Sequence, residues 1–121
     1  MTTANWPDLT RELNIMLRDL RAGSPEVMRA FSVLAQSALV PKTLDTKTKE
    51  LIALAISVAT RCDDCIAFHA KAAVEHGASD QEILETLGTA VYMGAGPSVM
   101  YASHAFQASR QFAELKQSKQ G

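Results

Sequence analysis

Apolar residues recur at intervals of three and four along most of the chain, which is the spacing of one face of an α-helix. The first such run extends from Leu9 to Leu20 and ends near Gly23. Ser24 and Pro25 are residue types typical of a helix cap and a first helical turn, so they predict the start of a second helix. No segment alternates between apolar and polar residues for long enough to indicate a strand.

A third helix is predicted after Pro41, which interrupts the helical pattern. Asp45 or Thr46 can cap this helix. The run from Leu51 to Ala59 is apolar on nearly every side, so we expect the helix to be buried all round. Because a chain of 121 residues offers a limited core to surround it, the pattern also predicts a homo-oligomer.

Three further helices are predicted in the second half of the chain. Thr60 and Asp63 resemble a capping box, so a fourth helix should begin at Thr60, after a kink, and end at Gly77. Ser79 to Glu82 match the capping-box pattern and predict a fifth helix. The Gly-Ala-Gly-Pro sequence at 94–97 should end the fifth helix and precede a sixth.

The composition indicates one folded domain. Hydrophobic residues make up 47% of the chain and charged residues 21%, which is typical of a globular protein. We therefore predict an all-α, single-domain bundle of about six helices over residues 1–121. The net charge of −1 provides no positive field for a nucleic acid. Since no export signal or bilayer-length apolar run is present, we expect a cytoplasmic protein without a membrane partner.

The two cysteines, Cys62 and Cys65, are the strongest indication of chemistry. A bond between residues three apart closes too short a loop to stabilise the fold much, so reactivity explains the pair better. At about 100° per residue, both cysteines and His69 share an arc of about 60° on one helix face. Thiol–disulfide exchange needs a thiolate, a second thiol and a base, and this spacing supplies all three. We expect Cys65, further into the helix, to be the more sheltered thiol.

The charges around the cysteine pair act in opposite directions. A cap at Thr60 would place Cys62 in the first helical turn, where the helix dipole and Arg61 favour a thiolate. Asp63 and Asp64 oppose it. The net effect on the thiols stays open at this point.

Glu50 is a carboxylate at the head of the apolar third helix. Burial of a carboxylate is costly unless the group is paired or used, so Glu50 is a candidate base. The alternative is a surface ion pair with Lys47, one turn earlier.

Other roles are open for the cysteines and histidines. A C-x-x-C sequence can be half of a zinc site, but His69, His76 and His104 are the other good candidate ligands, so we expect no metal. The cysteines can also be unreactive core residues, and His69 a core histidine. The helical pattern lacks the βαβ context of a thioredoxin-like motif. His76 precedes Gly77 at a predicted helix end, and we expect it and His104 to be structural.

The order and spacing of Glu50, Cys62, Cys65 and His69 resemble those of the AhpD-like alkylhydroperoxidases of the carboxymuconolactone decarboxylase superfamily. The likeness covers about residues 41–96, the expected motif core. It implies an all-helical subunit that forms a homo-oligomer, a trimer or a hexamer. It also implies an antioxidant enzyme that reduces a hydroperoxide or a disulfide without a bound cofactor and requires an external thiol reductant, such as a dithiol protein.

The resemblance also implies a role for each residue. Cys65 would attack the peroxide and become a sulfenic acid, Cys62 would condense with it, and Glu50 and His69 would relay protons. The best-studied members have a histidine at the position of Asp64, so one link of that relay differs here. Two alternatives stay open: a lactone or acid decarboxylase of the same superfamily, in which paired cysteines are generally absent, and a non-catalytic redox-sensing partner protein.

Overall fold

The computed structural model describes residues 5–120, which form helices and connecting turns with no strand among them. The predicted all-α class is therefore confirmed. The helices are α1 (Trp6–Gly23), α2 (Pro25–Leu39), α3 (Thr46–Ala59), α4 (Asp63–Glu75) and α5 (Asp80–Gln120).

Helix α5 contains the break that the sequence predicts at 94–97. Ala95 has φ 58° and ψ −146°, so two helical runs meet at this residue. A β-carbon at Gly94 would overlap the side chain of Ser98, and glycine is therefore required where the runs approach each other. Residues 5–120 thus form five helices rather than about six, because the last two predicted helices form one interrupted element.

Two predicted caps hold the starts of α3 and α5. The carboxylate of Asp45 accepts a hydrogen bond of 2.8 Å from the backbone N–H of Thr48. Ser79 and Glu82 form a reciprocal capping box, with distances of 2.9 and 3.1 Å. Lys47 also lies 2.8 Å from Glu82, and this hydrogen-bonded pair lowers the pKa of the Glu82 carboxyl. The starts of α3 and α5 are therefore tied together.

The core lies where α3, α4 and α5 meet. Leu54 and Val58 of α3 and Ile66 of α4 are fully buried there. Trp6, at the start of α1, closes this core from the side: its backbone N–H donates to Gln111 Oε1 and its indole N–H to Gln107 Oε1. Burial of these side chains from separate helices fixes α4 between α3 and α5.

Helix α3 is not buried all round, so that prediction was wrong for the single chain. Leu54, Ser57 and Val58 are buried, but Ile52 and Ile56 are 45% and 57% exposed. The reason is that α4 and α5 cover only one side of α3. An apolar cleft of about 400 Å³ lies on the open side. Its lining residues are Thr48, Leu51, Ile52, Ala55, Ile56, Thr86 and Thr89.

Helix α2 is the least covered helix of the bundle, since none of its residues 25–39 is buried. Val27, Phe31 and Leu34 form an exposed apolar stripe at helical spacing. Within residues 5–120, no helix has the length and apolar character needed to cross a membrane.

We predict that second copies of this chain cover the exposed faces of α2 and α3, because exposed apolar side chains that lie together on one helix face are typical of protein interfaces. Sedimentation at micromolar concentration should show an oligomer. Phe31→Glu should shift the protein toward smaller species. Gln36→Glu adds a charge to the same helix about 140° away and should shift it less. A monodisperse wild-type monomer would contradict the prediction.

Candidate active site

The turn between α3 and α4 determines where the cysteines lie. Arg61 N–H donates to the Val58 carbonyl at 3.1 Å, and Cys62 N–H to the Ser57 carbonyl at 3.0 Å. Arg61 has φ 59°, so the turn is a Schellman motif with Arg61 in the left-handed position. The kink expected here is confirmed, because α3 and α4 are separate helices.

The predicted cap of α4 was wrong by two residues. Thr60 caps the end of α3, where its hydroxyl donates to the Ile56 carbonyl at 2.9 Å. Cys62 is the N-cap of α4, and its Sγ accepts a hydrogen bond of 3.1 Å from Cys65 N–H. The late start of the helix places both sulfurs at its N-terminal end.

Cys62 and Cys65 are joined by a disulfide, with their Cα atoms 5.2 Å apart. Cys62 is half-buried and Cys65 is exposed. The expectation that Cys65 is the more sheltered sulfur was therefore wrong for the single chain. The physical reason is that α4 begins at Asp63 rather than at Thr60, so Cys65 lies in the first turn instead of one turn further in.

Glu50 and His69 form the second part of the site. Glu50 Oε1 lies 2.7 Å from His69 Nδ1, and the two side chains are 6% and 31% exposed. An ionised carboxylate can only accept a hydrogen bond, so Nδ1 donates to it and Nε2 is left for a second partner. Lys47 pairs with Glu82 instead, so the alternative of a Glu50–Lys47 surface pair is wrong.

Helix α4 buries one face and exposes the other. Ile66, Ala70 and Ala73 are buried, whereas Asp64 and Glu75 are exposed. Because residues four apart lie one turn apart on the same helix face, the half-buried His69 follows the exposed Cys65 one turn further along α4. The structure therefore groups Glu50, Cys62, Cys65 and His69 around the N-terminal half of α4.

His104 forms a second histidine–carboxylate pair that the sequence analysis missed. Its Nδ1 lies 2.8 Å from Oδ1 of Asp63, the residue that follows Cys62. The rings of Tyr101 and Trp6 lie 5.2 and 6.1 Å from the His104 ring. No spacing rule along one helix connects positions 63 and 104, because the contact depends on how α5 packs against α4.

His76 has the structural role that the sequence predicts. It caps the C-terminal end of α4, and its Nδ1 lies 2.8 Å from the Ala72 carbonyl. Within residues 5–120, no group of three or more histidine, cysteine, aspartate or glutamate residues is arranged to hold a metal ion.

A family model and several known proteins match most of the chain. The family model "Carboxymuconolactone decarboxylase family" matches residues 25–108. An uncharacterized protein of Cupriavidus necator is 39% identical over 105 residues, which cover 87% of this chain and 92% of that protein. A second relative, "Uncharacterized protein 4 in cox locus" of Paracoccus denitrificans, is 36% identical over 85 residues, 70% of this chain and 76% of that protein.

Two solved structures share the fold. A carboxymuconolactone decarboxylase family protein of Legionella pneumophila, solved in its apo form, is 47% identical with a TM-score of 0.86, covering 89% of this chain and 96% of that chain. A protein of the same family from Thermotoga maritima, for which a part in an antioxidative response has been suggested, is 33% identical with a TM-score of 0.79 and 96% coverage of both chains. The chain therefore belongs to the carboxymuconolactone decarboxylase family.

Proposed function

We propose that the protein is a thiol-dependent peroxidase and disulfide oxidoreductase of this family. One observation carries the proposal: the Cys62–Cys65 disulfide lies at the start of the helix that also contains His69, and His69 is hydrogen-bonded to the buried Glu50. A reversible dithiol beside a histidine–carboxylate pair has the groups that thiol oxidation and proton transfer require. The antioxidative part suggested for the Thermotoga maritima protein is consistent with it.

In the first step, the Cys65 thiolate attacks one oxygen of a hydroperoxide. The O–O bond breaks, an S–O bond forms, and Cys65 becomes a sulfenic acid. The departing alkoxide takes a proton and leaves as an alcohol. The exposure of Cys65 supports this assignment, because a hydroperoxide can reach its sulfur from solvent.

In the second step, the Cys62 thiolate attacks the Cys65 sulfur. The disulfide forms and the oxygen leaves as water after it takes a proton. Cys62 is suited to this step because its sulfur already accepts the Cys65 N–H at the start of α4, where the helix dipole favours negative charge. An external dithiol then supplies two electrons, reduces the disulfide and is itself oxidised.

His69 and Glu50 act as the proton relay in both steps. Glu50 holds His69 through Nδ1, so that Nε2 exchanges protons with the sulfur and the departing oxygen. Asp64, at the position where the best-studied alkylhydroperoxidases that this chain resembles have a histidine, is exposed and carries only a carboxylate. The relay of this chain therefore depends on a single histidine near Cys65.

We predict that the Cys62–Cys65 disulfide is reversible. Thiol titration of the folded protein should find two free thiols after reduction and none after mild oxidation, because the paired sulfurs lie at an accessible helix start. Two thiols that stay free in the oxidised, folded protein would contradict this prediction.

We predict that the two cysteines have separate roles. Cys62→Ser should trap a sulfenic acid on Cys65, whereas Cys65→Ser should abolish the first oxidation. The measurement is mass spectrometry after a single turnover with an organic hydroperoxide. A sulfenic acid that accumulates in Cys65→Ser but not in Cys62→Ser would reverse the assignment.

We predict that Glu50→Gln and His69→Asn each slow single-turnover oxidation by about 10²-fold, because both remove a member of the proton relay. Glu75→Gln and His76→Asn, at the far end of α4, are the matched controls and should leave the rate unchanged. Circular dichroism checks that the variants stay folded. If Glu50→Gln is folded and has the wild-type rate, the proposed relay is wrong.

A further inference from the structure

Two helices of the chain end in the same backbone motif but with different residues in its left-handed position. At the end of α4, Gly77 and Ala78 donate to the carbonyls of Val74 and Ala73 at 3.0 and 2.9 Å. Gly77 has φ 91° and is the residue type that this position favours. At the end of α3 the equivalent residue is Arg61, at φ 59°. A residue with a β-carbon is disfavoured in this conformation, so the Schellman motif itself gives no reason for an arginine here.

The side chain of Arg61 also has no interaction partner within the described structure. It is exposed, and among residues 5–120 it has no hydrogen bond, ion pair or ring contact. One neighbouring acid is occupied elsewhere, since Asp63 pairs with His104. The chain therefore keeps an unpaired cation, in an unfavourable backbone conformation, directly before Cys62.

We infer that Arg61 selects the thiol that reduces the Cys62–Cys65 disulfide, by pairing with a carboxylate carried close to the thiol of that reductant. The inference rests on the proposed function only in its reductive half, the exchange of the disulfide with an external thiol. A guanidinium suits this task because it forms two parallel hydrogen bonds with a carboxylate. Asp64, three residues after Arg61, is exposed and negatively charged. It repels an anion near the disulfide unless Arg61 pairs with that anion.

Reduction of the disulfide takes two successive thiol–disulfide exchanges. The reductant thiolate attacks Sγ of the exposed Cys65, a mixed disulfide forms, and the Cys62–Cys65 bond breaks. Cys62 leaves as a thiolate, which the Cys65 N–H and the N-terminus of α4 stabilise. A second reductant thiolate attacks the mixed disulfide, releases the Cys65 thiolate and becomes the oxidised disulfide product. The two electrons come from the reductant, and solvent supplies the protons.

The test compares three small thiols that differ in charge. Thioglycolate carries a carboxylate, 2-mercaptoethanol is neutral and cysteamine carries an ammonium group. The rate at which each thiol reduces the fully oxidised protein is measured without any peroxide. Each rate is divided by the concentration of that thiol's thiolate form. In the wild-type protein, thioglycolate should react faster than 2-mercaptoethanol, and cysteamine should react more slowly.

Four variants make the test specific. Arg61→Gly and Arg61→Gln should each lower the ratio of the thioglycolate rate to the 2-mercaptoethanol rate by about threefold, the range of an exposed ion pair. Arg61→Lys should keep most of the preference, because it keeps the charge. Arg18→Gln removes an exposed arginine from α1 and should have no effect. Arg61→Gly should also raise the melting temperature by about 3 °C, because it relieves the left-handed conformation.

The inference is overturned if folded Arg61→Gly and Arg61→Gln keep the wild-type ratio, or if Arg18→Gln lowers it equally. These outcomes are separate from a failure of the proposed peroxidase. If the protein does not turn over hydroperoxides but prefers the anionic thiol through Arg61, the peroxidase proposal fails and this inference stands. If the protein turns over hydroperoxides normally and the charge of the thiol has no effect on the rate of reduction, the peroxidase proposal stands and this inference fails.

Discussion

The buried carboxylate of Glu50 is the constraint on which the site depends. A carboxylate that is 6% exposed needs a strong partner, and His69 provides it at 2.7 Å. This bond joins α3 to α4 and fixes one nitrogen of the imidazole. The other nitrogen is then free for chemistry, on the helix that begins with the cysteines. One interaction therefore connects the packing of two helices with the orientation of a proton carrier.

The turn between α3 and α4 adds the second requirement, which is the position of the sulfurs. The Schellman motif completes the hydrogen bonds of α3 before α4 begins, so Cys62 becomes the cap of the new helix. Its sulfur accepts a backbone N–H, while Cys65 faces outward one turn before His69. The two cysteines are thus inequivalent because of the helix start alone. That inequivalence is what a two-step thiol mechanism uses.

Much of this arrangement follows from the sequence, because it depends on local rules. The helical class, the caps at Asp45 and Ser79 and the shared face of Cys65 and His69 all come from spacing within one segment. The predicted burial order of the cysteines was wrong because Thr60 can cap either the start of α4 or the end of α3. In the structure Thr60 caps the end of α3, and α4 begins later.

Other features depend on contacts between distant segments. The His104–Asp63 pair depends on how α5 packs against α4, and no local spacing predicts it.

The most direct test of the central claim is the stoichiometry of one oxidation. Reduced protein is mixed anaerobically with one equivalent of an organic hydroperoxide, and the alcohol formed, the thiols lost and the disulfide are quantified. The account predicts two thiols lost and one Cys62–Cys65 disulfide for each alcohol formed. Unconsumed hydroperoxide with both thiols still free would contradict it.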